Sequence, residues 1–393
     1  MNYNFDKIIK RANTDSVKYD LREDYFGRAD VIPMWVADMD FETPPCVMNA
    51  LKKRLEHPVM GYSIRSGEFH ASIRKWLSDR YGWQVQTEEI SFSPGVVPGL
   101  MMATYAFSKA GDALMVQPPV YFPFYITIRD NKRQLVYNPL VEDDLYYRMD
   151  FADMERRFKQ GVKAIMLSNP HNPVGRVWTA EELERLVALC TRYDVLIFSD
   201  EIHADLVFAP QKHIPVATLS PEAAARTITF MAASKTFNVA GLSTSFVIIR
   251  NPALMKKYQA TMDAMHLFSG NIMGTVATKA AFDCGNDWRL QMLDYVQGNI
   301  RFTEEFLQAN LPQIRFRTPE ATFLLWLDFR ALGLSQKQLT DILINKAGVG
   351  LNDGTVFSPG GEGFMRMNVA VSRKVLAQAL NQIKEAFLPR PSR

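Results

Sequence analysis

Between residues 89 and 250 the chain alternates short apolar runs with amphipathic stretches, and this alternation limits the possible fold more than any other feature. The runs Glu89–Ser93, Ala113–Gln117, Gln134–Asn138, Ala164–Ser168, Val195–Ser199, Thr227–Ala233 and Ser245–Arg250 read as strands. Several are almost continuously apolar, the pattern of strands buried on both faces of a sheet. Helical spacing fills the gaps. In Thr179–Asp194, Leu183, Leu186, Val187, Leu189 and Cys190 follow a period near 3.6, and Thr179 with Glu182 predicts a capping box. The alternation predicts an α/β fold: a large domain over residues 46–285 built on a mostly parallel, seven-stranded sheet. The flanks read as helix Asp287–Asn310, strand Ala321–Asp328 and helices Ser335–Lys346 and Ser372–Phe387. They predict a smaller α+β domain made of residues 1–45 and 286–393. No internal repeat is present.

Composition removes several function classes. The net charge of +3 is spread along the chain without a basic run, so nucleic acid is not an expected partner. No stretch approaches the roughly 18 consecutive apolar residues of a membrane span. The start, Met1 to Lys7, lacks the apolar core of a signal peptide. Cys46, Cys190 and Cys284 are few and far apart, which suits reduced thiols and a cytoplasmic location.

Two residues then point to chemistry. Asp200 ends the run from Val195, and Lys235 follows the run ending at Ala233, so both fall on the C-terminal lips of strands, where open α/β sheets bind ligands. A lysine that forms a Schiff base and a carboxylate that keeps a ring nitrogen protonated are the pairing pyridoxal 5′-phosphate requires. Alone, Asp200 equally suits a helix N-cap and Lys235 a solvated loop. Ser168–Gly175, carrying Asn172 in Asn-Pro-Val-Gly, lies between Gly161 and the segments bearing Asp200 and Lys235, and the three elements in this order make the signal specific.

Further residues join that reading. Gly95 and Val96 open a helical segment running to Ser108, and backbone N–H groups there suit a phosphate, with the Ser234 hydroxyl beside them. Tyr121 lies in an aromatic-rich stretch after strand Ala113–Gln117 and suits stacking on a flat ring. Asn172 suits the cofactor's phenolate oxygen. Arg366 interrupts the apolar run Phe364–Ala370, where it needs either an internal acid or a substrate carboxylate. Gly360, Gly361 and Gly363 before it suit a mobile flap. The six histidines show no His-x-x-x-His spacing, so no metal is expected. Phosphate-loop, dinucleotide and Gly-x-Ser-x-Gly fingerprints are absent.

With these residues on the page, the whole chain resembles the aspartate-aminotransferase superfamily, fold type I of the pyridoxal-phosphate enzymes. More narrowly it is similar to the MalY/PatB group of C–S β-lyases, the cystathionine β-lyases. The narrower likeness rests on Trp35 to Phe41 (WVADMDF), Gly61-Tyr62-Ser63, Ser93 to Val97 (SPGVV), Asn172 to Gly175 (NPVG), Ser199 to His203 (SDEIH) and Ser234 to Asn238 (SKTFN). The resemblance implies that Lys235 anchors the cofactor and moves the proton, Asp200 pairs with the ring nitrogen, Asn172 faces the phenolate and Tyr121 stacks on the ring. It further implies that Arg366 grips the substrate carboxylate. Tyr62 would reach the phosphate of a neighbouring subunit, which implies a homodimer with shared active sites. Trp35 and Tyr62 would meet the substrate side chain.

Two departures from the aminotransferase pattern stand out. Ser243 occupies the place of a phosphate-binding arginine, and His203 stands at the cofactor site where a tyrosine is usual. Both agree with the lyase group. The expected reaction is α,β-elimination on L-cystathionine or S-substituted L-cysteines, yielding a thiol, pyruvate and ammonia. Transamination on the same fold, and a regulatory protein retaining it, stay open at this point.

Overall fold

The computed structural model describes residues 2–267 and 270–388. Seven strands form one sheet: β1 Ile90–Ser93, β2 Ala113–Val116, β3 Gln134–Tyr137, β4 Val162–Ser168, β5 Leu196–Asp200, β6 Thr227–Met231 and β7 Ser245–Ile248. Their order is β1-β7-β6-β5-β4-β2-β3. β7 runs antiparallel to both neighbours, and every other pair is parallel. Parallel neighbours need crossovers, and helices supply them on the two faces, which is why every residue of β6 and β7 is buried. This is the expected α/β architecture, with strand ends shifted by one or two residues.

Parallel pairing lines the strand ends up along one edge of this sheet. The register Ser168↔Asp200↔Phe230 brings the C-terminal ends of β4, β5 and β6 level. Since β1 and β6 both run against β7, the end of β1 emerges at that edge too. The helix after β4 is Ala180–Arg192. Glu182 donates its N–H to Thr179 Oγ1 at 3.1 Å, and the Thr179 N–H reaches Glu182 Oε2 at 2.9 Å, the expected reciprocal cap.

Around this sheet, strands Leu324–Asp328, Asn352–Asp353 and Phe364–Asn368 form an antiparallel three-stranded sheet with Phe364–Asn368 at its centre. Helices Asn286–Asn310 and Arg373–Phe387 accompany it. The first of its strands starts at Leu324, later than expected, because Thr322 takes φ +76° and its Oγ1 accepts the Leu324 N–H at 3.2 Å. The expected helix Ser335–Lys346 is α-helical over Gln336–Asp341 and then widens into a π-turn over Ile342–Lys346. Of the glycines before Arg366, Gly361 forms a tight contact rather than part of a flap. A Cβ on Gly361 would lie 1.8 Å from the Gly354 carbonyl oxygen, so glycine is needed there for two backbones to touch.

The amino-terminal segment belongs to the core. Ile32–Pro33 pairs in parallel with Val349–Gly350. The apolar cluster that holds Phe5, Met34 and Phe41 also holds Phe237, Phe323 and Ile383, so residues near both ends pack against the loop bearing Lys235.

Candidate active site

At the sheet edge, β5 delivers Asp200 and the turn after β6 delivers Lys235. Asp200 is buried, and its Oδ1 accepts the Ile202 N–H at 3.1 Å. Burial outweighs that hydrogen bond and pushes the carboxyl up to about 7. The next residue fixes this strand end. Buried Glu201 accepts from Ser199 Oγ at 2.8 Å, from the Val216 N–H at 3.1 Å and from His213 Nε2 at 2.8 Å. Lys235 is partly buried and its Nζ donates to the Ala37 carbonyl at 2.7 Å. Burial draws its ammonium down to about 8, with Arg366 adding to the fall and Asp38 and Asp200 opposing it. The amine is therefore partly unprotonated near neutral pH.

The opposite wall comes from distant parts of the chain. Residues 35–41 run between the Lys235 loop and strand Phe364–Asn368. Asn238 Oδ1 accepts the Met39 N–H at 3.1 Å, and its Nδ2 donates to the carbonyls of Met39 and Phe41 at 3.0 and 2.9 Å. From the other side, Asn368 Nδ2 donates to the carbonyls of Val36 and Asp38 at 2.7 and 2.6 Å. Arg366, 3% exposed, is thereby brought into the site. Its guanidinium donates to Asn172 Oδ1 at 3.1 Å, Asn352 Oδ1 at 2.6 Å and the Trp35 carbonyl at 3.0 Å, and Nε has no partner. No carboxylate pairs with it among the described residues, and burial pulls its pKa down to about 10. Of the two partners the sequence allowed, the internal acid is absent. A buried guanidinium held only by neutral oxygens is a prepared site for an anion.

The remaining sequence-expected residues divide into four groups. Tyr121, Asn172 and His203 face the same space. The Tyr121 hydroxyl is held above its usual pKa by burial, with Arg366 and Asp200 both close enough to act on it. His203 is buried, its Nδ1 lacks a partner, and burial beside Lys235 and Arg366 drives it down to about 3, so its ring is neutral. Gly95, at φ +132°, caps the twelve-residue helix Val96–Phe107, whose first amides start at Val96; Ser234 directly precedes Lys235. Trp35 takes part through its backbone. Its indole is buried against Tyr25, with ring centroids 4.1 Å apart, and donates to the Lys18 carbonyl at 3.0 Å. Tyr62 lies apart. It stands at 106% of reference exposure, so its own chain covers none of it.

These residues fit pyridoxal phosphate. Asp200 is a buried carboxyl with no ion-pair partner among the described residues, Lys235 a partly buried residue whose amine is lowered in basicity, and Asn172 and His203 are neutral hydrogen-bonding groups. The sequence reading attached no role to Asn238, Asn352 or Asn368. Asn238 closes the SKTFN string and Asn368 lies in the run Phe364–Ala370, but neither string says what its asparagine touches.

Comparison with known proteins agrees with this geometry. The aminotransferase class I and II family matches residues 29–383, and the chain belongs to that family. Cystathionine beta-lyase PatB of Bacillus subtilis (strain 168) is 42% identical over 98% of this chain and 100% of its own length. Protein MalY of Escherichia coli (strain K12) is 30% identical, covering 96% of this chain and 97% of MalY. Among solved structures, cystalysin of Treponema denticola, which contains a pyridoxal 5′-phosphate cofactor, superposes with TM-score 0.95 at 35% identity, covering 98% of this chain and 99% of cystalysin. The PLP-bound C-S lyase of Staphylococcus hominis gives 0.92 at 36% identity, with 99% of each chain covered.

Proposed function

We infer that this protein is a pyridoxal-phosphate-dependent C–S β-lyase, acting on L-cystathionine or related S-substituted L-cysteines to give a thiol, pyruvate and ammonia. The observation that carries the α-amino-acid reading is Arg366, a buried guanidinium without an acid that faces the same space as Lys235. Full-length likeness to cystathionine β-lyase and C–S lyases supports elimination as the outcome.

When bound, pyridoxal phosphate supplies an aldehyde for amine capture and an electron-poor ring that drains charge from the substrate Cα. Lys235 is the residue that would hold the aldehyde, and its Nζ would take the substrate Cα proton when the amine is free. Its lowered basicity makes the free amine available for this. Asp200 would pair with the ring nitrogen, and a cation there would draw the buried carboxyl back to its charged form. Arg366 fixes the substrate carboxylate and so aligns the Cα–H bond with Nζ. Asn172 ties the two ends together, since its Oδ1 accepts from Arg366 while its amide nitrogen serves the phenolate. Tyr121 would stack on the ring, His203 would line the cofactor, and Gly95, Val96 and Ser234 would hold the phosphate. Ser243 offers no charge to that group. The protonated Lys235 then stands ready to return its proton as the thiolate leaves Cβ.

We also propose a homodimer with shared sites. Tyr62 is fully exposed, and Leu55, Val59, Met60 and Ile64 near it are exposed and apolar, which supports a partner there. The chain is proposed to divide into residues 46–285 and 1–45 with 286–393, since the seven-stranded sheet lies within 90–248 and the three-stranded one within 324–368. No helix among the described residues is long and apolar enough to cross a membrane, and a cytoplasmic setting is proposed with it.

The test adds L-cystathionine to purified protein and follows pyruvate and the cofactor's absorbance together. Many turnovers of pyruvate with the starting spectrum restored are expected. Stoichiometric conversion to pyridoxamine phosphate without catalytic pyruvate would make the protein an aminotransferase.

A further inference from the structure

The carboxylate most tightly engaged around Lys235 belongs to the amino-terminal segment. Lys235 Nζ donates to the Ala37 carbonyl at 2.7 Å, and Asp38, the next residue, lines with Lys235 a cavity of about 930 Å³. Asp38 is held by a two-pronged Arg11 contact, Oδ2 to NH2 at 2.6 Å and Oδ1 to NH1 at 3.1 Å. Arg11 also pairs with Asp40 at 2.6 Å, and fully buried Lys18 pairs with Asp40 at 3.1 Å and Asp38 at 3.7 Å. Asn238 and Asn368 hold the backbone on both sides. The segment is thus a rigid mount that sets a carboxylate beside the amine.

We propose that Asp38, clamped by Arg11, is a positioning residue for Lys235 that determines how firmly the freed amine keeps a proton. The inference rests on the Lys235 assignment above. Three other elements present charge or a titratable group to the amine. Asp200 at the end of β5 favours the ammonium, Arg366 on strand Phe364–Asn368 opposes it, and neutral His203 adds no charge. Asp38 acts more strongly on the amine than Asp200 does, although Arg11 neutralises part of its field. A base that takes the Cα proton and then delivers it to a leaving thiolate needs a basicity between those of the two partners, and the clamp supplies the upward part of that balance.

The sign of the response separates charge from mere support. Asp38→Asn removes the negative charge and lowers the midpoint for protonation of Lys235 by about half a pH unit. Arg11→Gln leaves Asp38 less neutralised and raises it. Loosening of the segment would instead admit water and raise the midpoint in both variants. The measurement is trace acetylation of the full chain, freed of cofactor, across pH 6 to 10, read at Lys235 by mass spectrometry, with thermal midpoints recorded alongside. A fall for Asp38→Asn with a rise for Arg11→Gln establishes the proposal. An unmoved or raised midpoint in Asp38→Asn overturns it. Failure of pyridoxal phosphate to protect Lys235 in the unmutated chain overturns the assignment on which it rests.

Discussion

The two walls of the site are built in different ways. The sheet-edge wall, Asp200 and Lys235, is made by short segments that end where parallel strands end, and its residues lie thirty-five positions apart. The opposite wall joins residues 35–41 to Asn238 and to strand Phe364–Asn368 by hydrogen bonds spanning about two to three hundred residues. In the proposed reaction the first wall carries the groups that exchange protons, and the second carries the proposed anion site and holds the first in place. A substitution in the first wall is thus expected to strike chemistry and spare stability, while one in the second affects binding, stability or both.

The largest expected effect comes from the sheet-edge wall. Lys235→Ala removes both anchor and base, and pyruvate formation falls by about a thousandfold or more while the thermal midpoint changes little. More than trace turnover would end the assignment. Asp200→Asn leaves the ring nitrogen without its counter-charge, with a fall of about a hundredfold in kcat. It has a second signature in cofactor-free protein. A carboxyl raised to about 7 favours the folded state when protonated, so that stability drops as pH climbs from the usual carboxylate range to about 7. Asp200→Asn removes this dependence, and a melting series against pH reads it directly.

The other wall is expected to respond in binding. Arg366→Lys keeps the charge but loses the planar fork, raising KM for cystathionine about tenfold to a hundredfold with a smaller change in kcat. An effect confined to kcat would show that the guanidinium does not hold the substrate carboxylate. Asn238→Ala strips the hydrogen bonds of residues 39 and 41, and about 2 kcal/mol of stability should go with them, measured by urea unfolding. Smallest of all is Thr179→Ala, which removes a helix cap outside both walls. It is expected to cost about 1 kcal/mol and leave kcat/KM unchanged.

Legibility followed the same division. The strands were readable because burial on both faces forces unbroken apolar runs, and Asp200 and Lys235 followed from where those runs end. The Thr179–Glu182 cap was readable because both partners lie within one turn. Arg366 stood out as a charge in an apolar strand, yet its local sequence could not choose between an internal acid and a ligand. Trp35 was expected to meet the substrate side chain; packing against Tyr25 and Phe26 buries its ring and leaves its carbonyl to meet Arg366. The glycines before Arg366 suggested freedom; the backbone of Gly354 in contact with Gly361 reverses that reading for Gly361.

By itself, the sequence determined the α/β class and pointed to the sheet edge and the lysine–aspartate pair proposed as the site, because periodicity and strand ends are local properties. Tertiary structure alone decided that Arg366 lacks an acid, that Asn238 and Asn368 grip residues 36–41, and that Asp38 stands beside Lys235. Those facts depend on which distant segments share a few ångströms of space, and no local pattern encodes that distance.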